Sequence, residues 1–259
     1  MVGATRPLSS LVVGTLTAAA ATAGRHGFTL RGAMAGLTMT FLAAFGFAVN
    51  DIVDYPKDRA AGVRRPIASG ALSRAAAAWL AAAMLLCAGL LAGTVGSGGA
   101  VAGATAALLL LYSPMAQRFP LAKGAYIAVL CCAPLWYGAA AGSAQFPWTS
   151  YAALAGFVFG REILMDAEEL PGDSKAGMRT IAVVFGPRWT ARIGEFLMLL
   201  AAACLVAIVH GSVAKSASAA TLVSLLWIFA WPGLERGRRS SLSRLPMLLG
   251  SVALAYGGI

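Results

Sequence analysis

Long apolar runs constrain this sequence more than any other feature. Nine can be marked, at roughly 8–24, 32–51, 74–95, 98–114, 124–142, 148–166, 189–210, 217–233 and 242–259. A helix needs about 20 such residues to cross a ~30 Å hydrocarbon core. The chain is 59% hydrophobic and only 12% charged, against roughly 25% charged in a soluble domain. The expectation is an all-α membrane protein, about nine transmembrane helices around a central cavity, filling residues 1–259 as a single domain. The first run follows Arg6-Pro7 and only weakly resembles a signal peptide, so it is read as a helix of the mature chain.

A net charge of +10 would suit nucleic acid if the cations were clustered, but they follow the loops of a membrane topology. With the amino terminus inside, every Lys and Arg except Arg25, Arg31 and Lys215 falls on one side. The positive-inside rule makes that side cytoplasmic. Cys87, Cys131, Cys132 and Cys204 lie inside apolar runs without metal-ligand spacing, which predicts small buried hydrophobes and no disulfide framework. His26 and His210 stand alone near segment ends, and neither is given a role.

The acids are distributed otherwise. Asp51, Asp54 and Asp58 fall in one window, and Glu162, Asp166, Glu168, Glu169 and Asp173 in another; only Glu195 and Glu235 lie outside. Acids at a membrane boundary are costly to desolvate unless paired or bound to a cation, so their concentration is a functional signal. Asn50, Asp54 and Asp58 are four apart, and Glu162, Asp166, Glu169 and Asp173 are spaced four, three and four, so each set lines one helix face. Pro56 and Pro171-Gly172 predict that both helices end inside their motifs.

Slid by 115 residues, Asp51, Asp54, Asp58, Gly62 and Arg64 fall onto Asp166, Glu169, Asp173, Gly177 and Arg179. This pattern predicts two pseudo-repeats, with motifs at 50–65 and 162–180. If the halves pack about a pseudo-two-fold axis along the membrane normal, the two acid sets face each other across one cavity, open to the cytoplasmic side.

Two carboxylate sets suit Mg²⁺, which takes oxygen ligands, keeps several waters and shares its sphere with substrate phosphates. Zinc is disfavoured because no His or Cys adjoins either motif. Lys57, Arg59, Arg64 and Arg65 follow the first motif, and Lys175 and Arg179 the second, so cations stand ready to neutralise a leaving diphosphate. A diphosphate on a lipid implies a prenyl diphosphate, ionised at its C–O bond with metal assistance.

NDIVDYPKD followed by RRPIASGALS, and REILMDAEELPGDSKAGMRTIAVVFG, resemble the two aspartate-rich signatures of the UbiA superfamily of intramembrane prenyltransferases, and the likeness spans nearly the whole chain. The block LYSPMAQRFPLAKG at 111–124 is similar to that family's loop between the fourth and fifth helices. The resemblance implies nine transmembrane helices and metal ligation by Asn50, Asp54 and Asp58 with Asp166, Glu169 and Asp173. Of these, Asp54, Asp58, Glu169 and Asp173 are the catalytic carboxylates. Diphosphate binding then falls to Lys57, Arg64, Arg65, Arg118, Lys123 and Arg179, and positioning of the substrate or its allylic cation to Tyr112. Glu169 stands where an aspartate is usual, Gln117 where a lysine is common, and Gly124 where an asparagine often follows the lysine.

The leading expectation is a Mg²⁺-dependent enzyme that moves a prenyl group from its diphosphate to a small-molecule acceptor, an aromatic ring first among them. A glyceryl-phosphate acceptor is the alternative, because the second motif also looks like that of the archaeal-lipid branch. A terpene cyclase is another, and a transporter is the reading from a different class, since parallel repeats and intramembrane acids also describe carriers.

Overall fold

The computed structural model describes residues 2–22, 29–60, 62, 65–96, 98–143, 148–175, 177–231 and 239–256. Among these residues all regular structure is helical: α1 (Pro7–Thr22), α2 (Leu30–Val53), α3 (Tyr55–Ala60), α4 (Arg74–Ala92), α5 (Gly98–Arg118), α6 (Lys123–Leu130), α7 (Cys132–Gly142), α8 (Trp148–Lys175), α9 (Ile181–Phe185), α10 (Pro187–Ile208), α11 (Ser212–Ala230), α12 (Arg239–Leu242) and α13 (Arg244–Tyr256).

Each of the nine apolar runs holds helix. Among the described residues six helical stretches are long and apolar enough to cross a membrane: Leu30–Val53, Arg74–Val95, Gly99–Arg118, Pro120–Gly142, Pro187–Ile208 and Ser212–Ala230. Of the other three runs, α1 is shorter at 16 residues, α8 is 28 residues long but carries the second acid set, and α13 has 13 residues. The run at 124–142 is broken at Cys131 into α6 and α7. Pro134 explains the break: it has no N–H to give to the Leu130 carbonyl, but in the first turn of a new helix that donor is not needed.

The chain forms two compact units, Met1–Pro114 with Ala133–Phe146, and Met115–Cys132 with Pro147–Ile259. In the first, α1 and α4 pack on α2, around Met39, Leu42, Ala88 and Tyr137. In the second, α8 lies along α10, with α6 on α8 and α13 on α11, around Phe157, Leu164, Met198 and Leu225. Trp79, Leu86, Leu90 and Phe196 point outward, 63–78% exposed, as suits a surface solvated by lipid. Cys204, expected inside, is exposed, and Cys87, Cys131 and Cys204 are free thiols.

One close approach positions the second acid set. A Cβ on Gly160 would lie 2.8 Å from the Gly194 carbonyl oxygen, and one on Gly194 would lie 2.7 Å from the Gly160 oxygen. Backbone therefore touches backbone where α8 crosses α10, as small residues allow in membrane helices.

Candidate active site

The first motif sits on a bend. Asp54 caps α2 with φ −77° and ψ −5°, and its N–H donates to the Asn50 carbonyl at 2.8 Å. Pro56 has no N–H to return to Ile52, so the ladder lapses there and α3 restarts it. The restart carries Asp58, whose N–H donates to the Asp54 carbonyl at 2.9 Å. Arg65 then reaches back over the bend. Its Nη1 lies 2.8 Å from Asp58 Oδ2 and 3.6 Å from both Asp51 Oδ1 and Asp54 Oδ2. Three carboxylates thus converge on one positive centre. Burial pushes the Asp58 carboxyl above the ordinary aspartate range; Arg65 opposes the rise, and Asp54 and Asp51 add to it.

Two further groups brace this end of α2. Arg6 places Nη2 3.2 Å from Asp51 Oδ1 and its guanidinium 4.8 Å from the Phe47 ring centre. Its backbone is left-handed, φ 42°, uncommon for a residue other than glycine; the following proline disfavours the right-handed helical alternative. The Ser113 hydroxyl donates to Asn50 Oδ1 at 3.0 Å, which orients the amide and leaves that oxygen a second lone pair.

The second motif lies on one unbroken helix. The sequence predicted an end at Pro171, but α8 continues through it to Lys175. Proline removes one hydrogen bond from the ladder, and here the packing of α8 on α10 and α6 outweighs that loss. Asp166 and Asp173 are buried and Glu169 is half-buried. The counter-charge comes from another helix: Lys123, the first residue of α6, sets Nζ 2.6 Å from Asp166 Oδ1 and 3.9 Å from Glu169 Oε2. Gly124 permits this approach, because a Cβ there would meet the Glu162 Cβ and the Phe159 ring at 3.3 Å.

Beyond each motif the chain turns in the same way. Gly62 (φ +68°) and Gly177 (φ +67°) are both left-handed, and each donates its N–H to the carbonyl three residues back, at 3.2 Å.

The UbiA prenyltransferase family model matches residues 11–252. The chain belongs to the UbiA prenyltransferase family. It is therefore a prenyl-transferring enzyme and an integral, multi-pass membrane protein. It is 33% identical over 205 residues to a digeranylgeranylglyceryl phosphate synthase of Halobacterium salinarum, covering 76% of this chain and 73% of that one. The synthase of the same name from Methanoregula boonei is 32% identical over 234 residues, covering 88% and 77%. Among solved structures, an apo UbiA homologue from Aeropyrum pernix K1 superposes with a TM-score of 0.82 at 22% identity, covering 95% of this chain and 96% of the other. A UbiA homologue from Archaeoglobus fulgidus bound to DMAPP and Mg²⁺ gives 0.72 at 18% identity, covering 99% and 96%.

Within this UbiA-family chain, the first unit gathers Asn50, Asp54, Asp58 and Arg65 around the bend. Lys57 and Tyr112 are half-buried in the same unit. Arg64 lies outside the described residues. The second unit brings Lys123 to Asp166 and Glu169, while Arg118 and Arg179 are exposed. Arg161, counted with the cytoplasmic cations, lies inside α8 and pairs with Glu162 at 3.5 Å. Sequence reasoning gave no role to Arg6 or Ser113, whose partners are 45 and 63 residues away. It also left Glu168 unassigned. That side chain accepts from the Ser240 backbone N–H at 3.0 Å and from its hydroxyl, while Arg239 pairs with Glu195, so α12 is tied to α8 and α10. No local signal announces these pairs.

Proposed function

We propose that this UbiA-family chain transfers a prenyl group from a prenyl diphosphate to a glyceryl phosphate acceptor at the cytoplasmic face of the membrane. The site observation that carries it is the convergence of Asp51, Asp54 and Asp58 on Arg65 Nη1, a carboxylate cluster built around positive charge. The acceptor follows from the relatives' names, which favour a glyceryl phosphate over the aromatic ring expected first. The nine helices, the two pseudo-repeats and the single domain over 1–259 belong to the same reading, supported by the matched turns at Gly62 and Gly177.

Among the described residues no group of three or more His, Cys, Asp or Glu side chains forms a ready metal cage. Mg²⁺ typically takes one or two carboxylates and completes its sphere with water and substrate phosphate. The oxygen-only donor set favours Mg²⁺ over zinc, whose sites draw mostly on Cys and His. Asn50, Asp54 and Asp58 would hold the metal in one unit, and Asp166, Glu169 and Asp173 in the other. When bound, Mg²⁺ supplies Lewis acidity and neutralises charge on the leaving diphosphate.

The remaining steps fall to the chain's own side chains. Lys57, Arg64, Arg65, Arg118, Lys123 and Arg179 bind diphosphate oxygens, the arginines through forked donors and the lysines as point charges. The allylic C–O bond breaks with its electron pair leaving on the diphosphate, and the Tyr112 ring stabilises the allylic cation. The acceptor hydroxyl oxygen forms the new C–O bond and releases its proton to water or diphosphate.

The test is to supply the purified protein with Mg²⁺, prenyl diphosphates of graded length, and either a monoprenyl glyceryl phosphate or an aromatic acceptor. Ether product with the glyceryl phosphate is expected. No Mg²⁺-dependent diphosphate release, with Asp54→Ala equal to wild type, overturns the enzymatic reading; aromatic product alone restores the first-expected acceptor; product without acceptor indicates a cyclase.

A further inference from the structure

Beside the first motif, on its exposed side, two arginines share one aromatic ring. Tyr55 follows Asp54 in the chain and packs against the cluster of Ile67, Leu72 and Ala77, which fixes its ring. Arg59 Nη1 donates to the Tyr55 hydroxyl at 2.5 Å, and its guanidinium carbon lies 5.9 Å from the ring centre. Arg74 lies 5.4 Å from the same centre. Both arginines are exposed, and among the described residues neither forms an ion pair with a carboxylate. Two like charges are thus gathered beside one ring, while the nearby acids Asp54 and Asp58 pair with Arg65 instead.

The helix beneath adds to the imbalance. Arg74 is the first residue of α4, capped by Ser73, whose Oγ accepts from the Ala76 N–H at 3.1 Å, and the first turn contains no acid. A helix amino terminus carries partial positive charge and favours anions, so a cation there is electrostatically opposed. It becomes favourable when an anion lies between the guanidinium and the exposed N–H groups. Arg74 also begins a stretch apolar enough to span the membrane, Arg74–Val95, so the cluster sits where a span meets the surface.

We propose that Arg59 and Arg74, set on the Tyr55 ring at the start of α4, bind the phosphate group of an amphiphile lying at the membrane surface. In the reaction proposed above, on which this assignment rests, that group is the acceptor's phosphate; a bilayer phospholipid presents the same chemistry. Forked guanidinium donors suit phosphate oxygens, and the site is distinct from the carboxylate cluster, which prefers cations.

The experiment compares wild type, Arg59→Gln/Arg74→Gln and Tyr55→Phe, using the full chain in detergent and in nanodiscs. The double variant is expected to raise the KM for the glyceryl phosphate acceptor about tenfold or more, with kcat and the affinity for prenyl diphosphate in Mg²⁺ unchanged. Tyr55→Phe, which keeps the ring but frees Arg59, gives a smaller rise. Short-chain phosphatidic acid, titrated by calorimetry, is expected to raise the unfolding temperature of wild type and not of the double variant.

An unchanged acceptor KM with lost phosphatidic acid binding assigns the site to a bilayer phosphate. If both acceptor KM and phosphatidic acid binding match wild type, the proposal is overturned. A wild type that binds phosphatidic acid through these arginines but never prenylates a glyceryl phosphate removes the proposed reaction and leaves the site. Single Arg74→Gln lifts an opposed charge from the helix start, so the unliganded protein should unfold at the same temperature or higher, which separates binding loss from misfolding.

Discussion

The two acid motifs carry matching residues but hold them by different means. In the first, the helix bends at Asp54 and the counter-charge comes from the same stretch of chain, Arg65 reaching back to Asp58 at 2.8 Å. In the second, α8 stays helical through Pro171 and the counter-charge is delivered by α6, Lys123 meeting Asp166 at 2.6 Å. Burial follows this division: Arg65 keeps 27% of its side chain exposed, and Lys123 only 11%. A local cation needs only a turn, whereas a distant one needs helix packing, so the same acid pattern draws on different parts of the structure for its stability.

The largest expected effect tests whether the motifs are equal in chemistry. Asp54→Ala and Asp173→Ala should each lower Mg²⁺-dependent turnover about 10³-fold, the several kcal/mol that a Lewis-acid cation contributes, and chelation should do the same to wild type. A large loss in one motif alone would show that only one set serves the reaction.

The counter-charges come next. Lys123→Met strands Asp166 in a buried position and should cost about 3 kcal/mol of stability, read by denaturant titration in detergent. Arg6→Met should cost only about 1 kcal/mol, because Arg6 is a third exposed and Asp51 keeps Arg65 within 3.6 Å. Adding Asp166→Asn to Lys123→Met should recover part of the loss. Equal costs at Lys123 and Arg6 would erase the contrast between a buried cation and an exposed one that shares its acid with Arg65.

The turn glycines test the likeness instead. Ala at Gly62 or Gly177 must adopt a left-handed backbone, and each should cost about 1 kcal/mol after the entropy gained from the unfolded chain. Unequal costs would separate the repeats. The smallest effect is expected at Gly124→Ala, where gained helix propensity offsets contacts at 3.3 Å, leaving a net change below about 1 kcal/mol.

What was legible in the sequence was whatever is encoded by neighbours in the chain. Apolar runs marked the helices, acid spacing marked the faces, and glycines 115 residues apart shared a turn. Pro134 could have marked the break in the fifth run, since its missing donor is a local fact. What escaped depends on distance. Asp51–Arg6, Asn50–Ser113, Asp166–Lys123 and Glu168–Ser240 all join separate segments, and nothing in either partner's neighbourhood names the other. Pro56 and Pro171 look alike in sequence, yet the ladder lapses at one and runs on through the other, because neighbouring helices decide what a lost hydrogen bond can do.

The crossing at Gly160 and Gly194 has a further consequence for life in a bilayer. Asp166 stands six residues beyond it on α8, about 9 Å along the helix. With main chain against main chain, no acyl tail can wedge in at that point, and α8 cannot piston past α10 without a collision. A thinner or thicker membrane must therefore be met by tilting the two helices together, so that Asp166 and Glu169 keep their depth relative to α10 while the lipid around them adjusts.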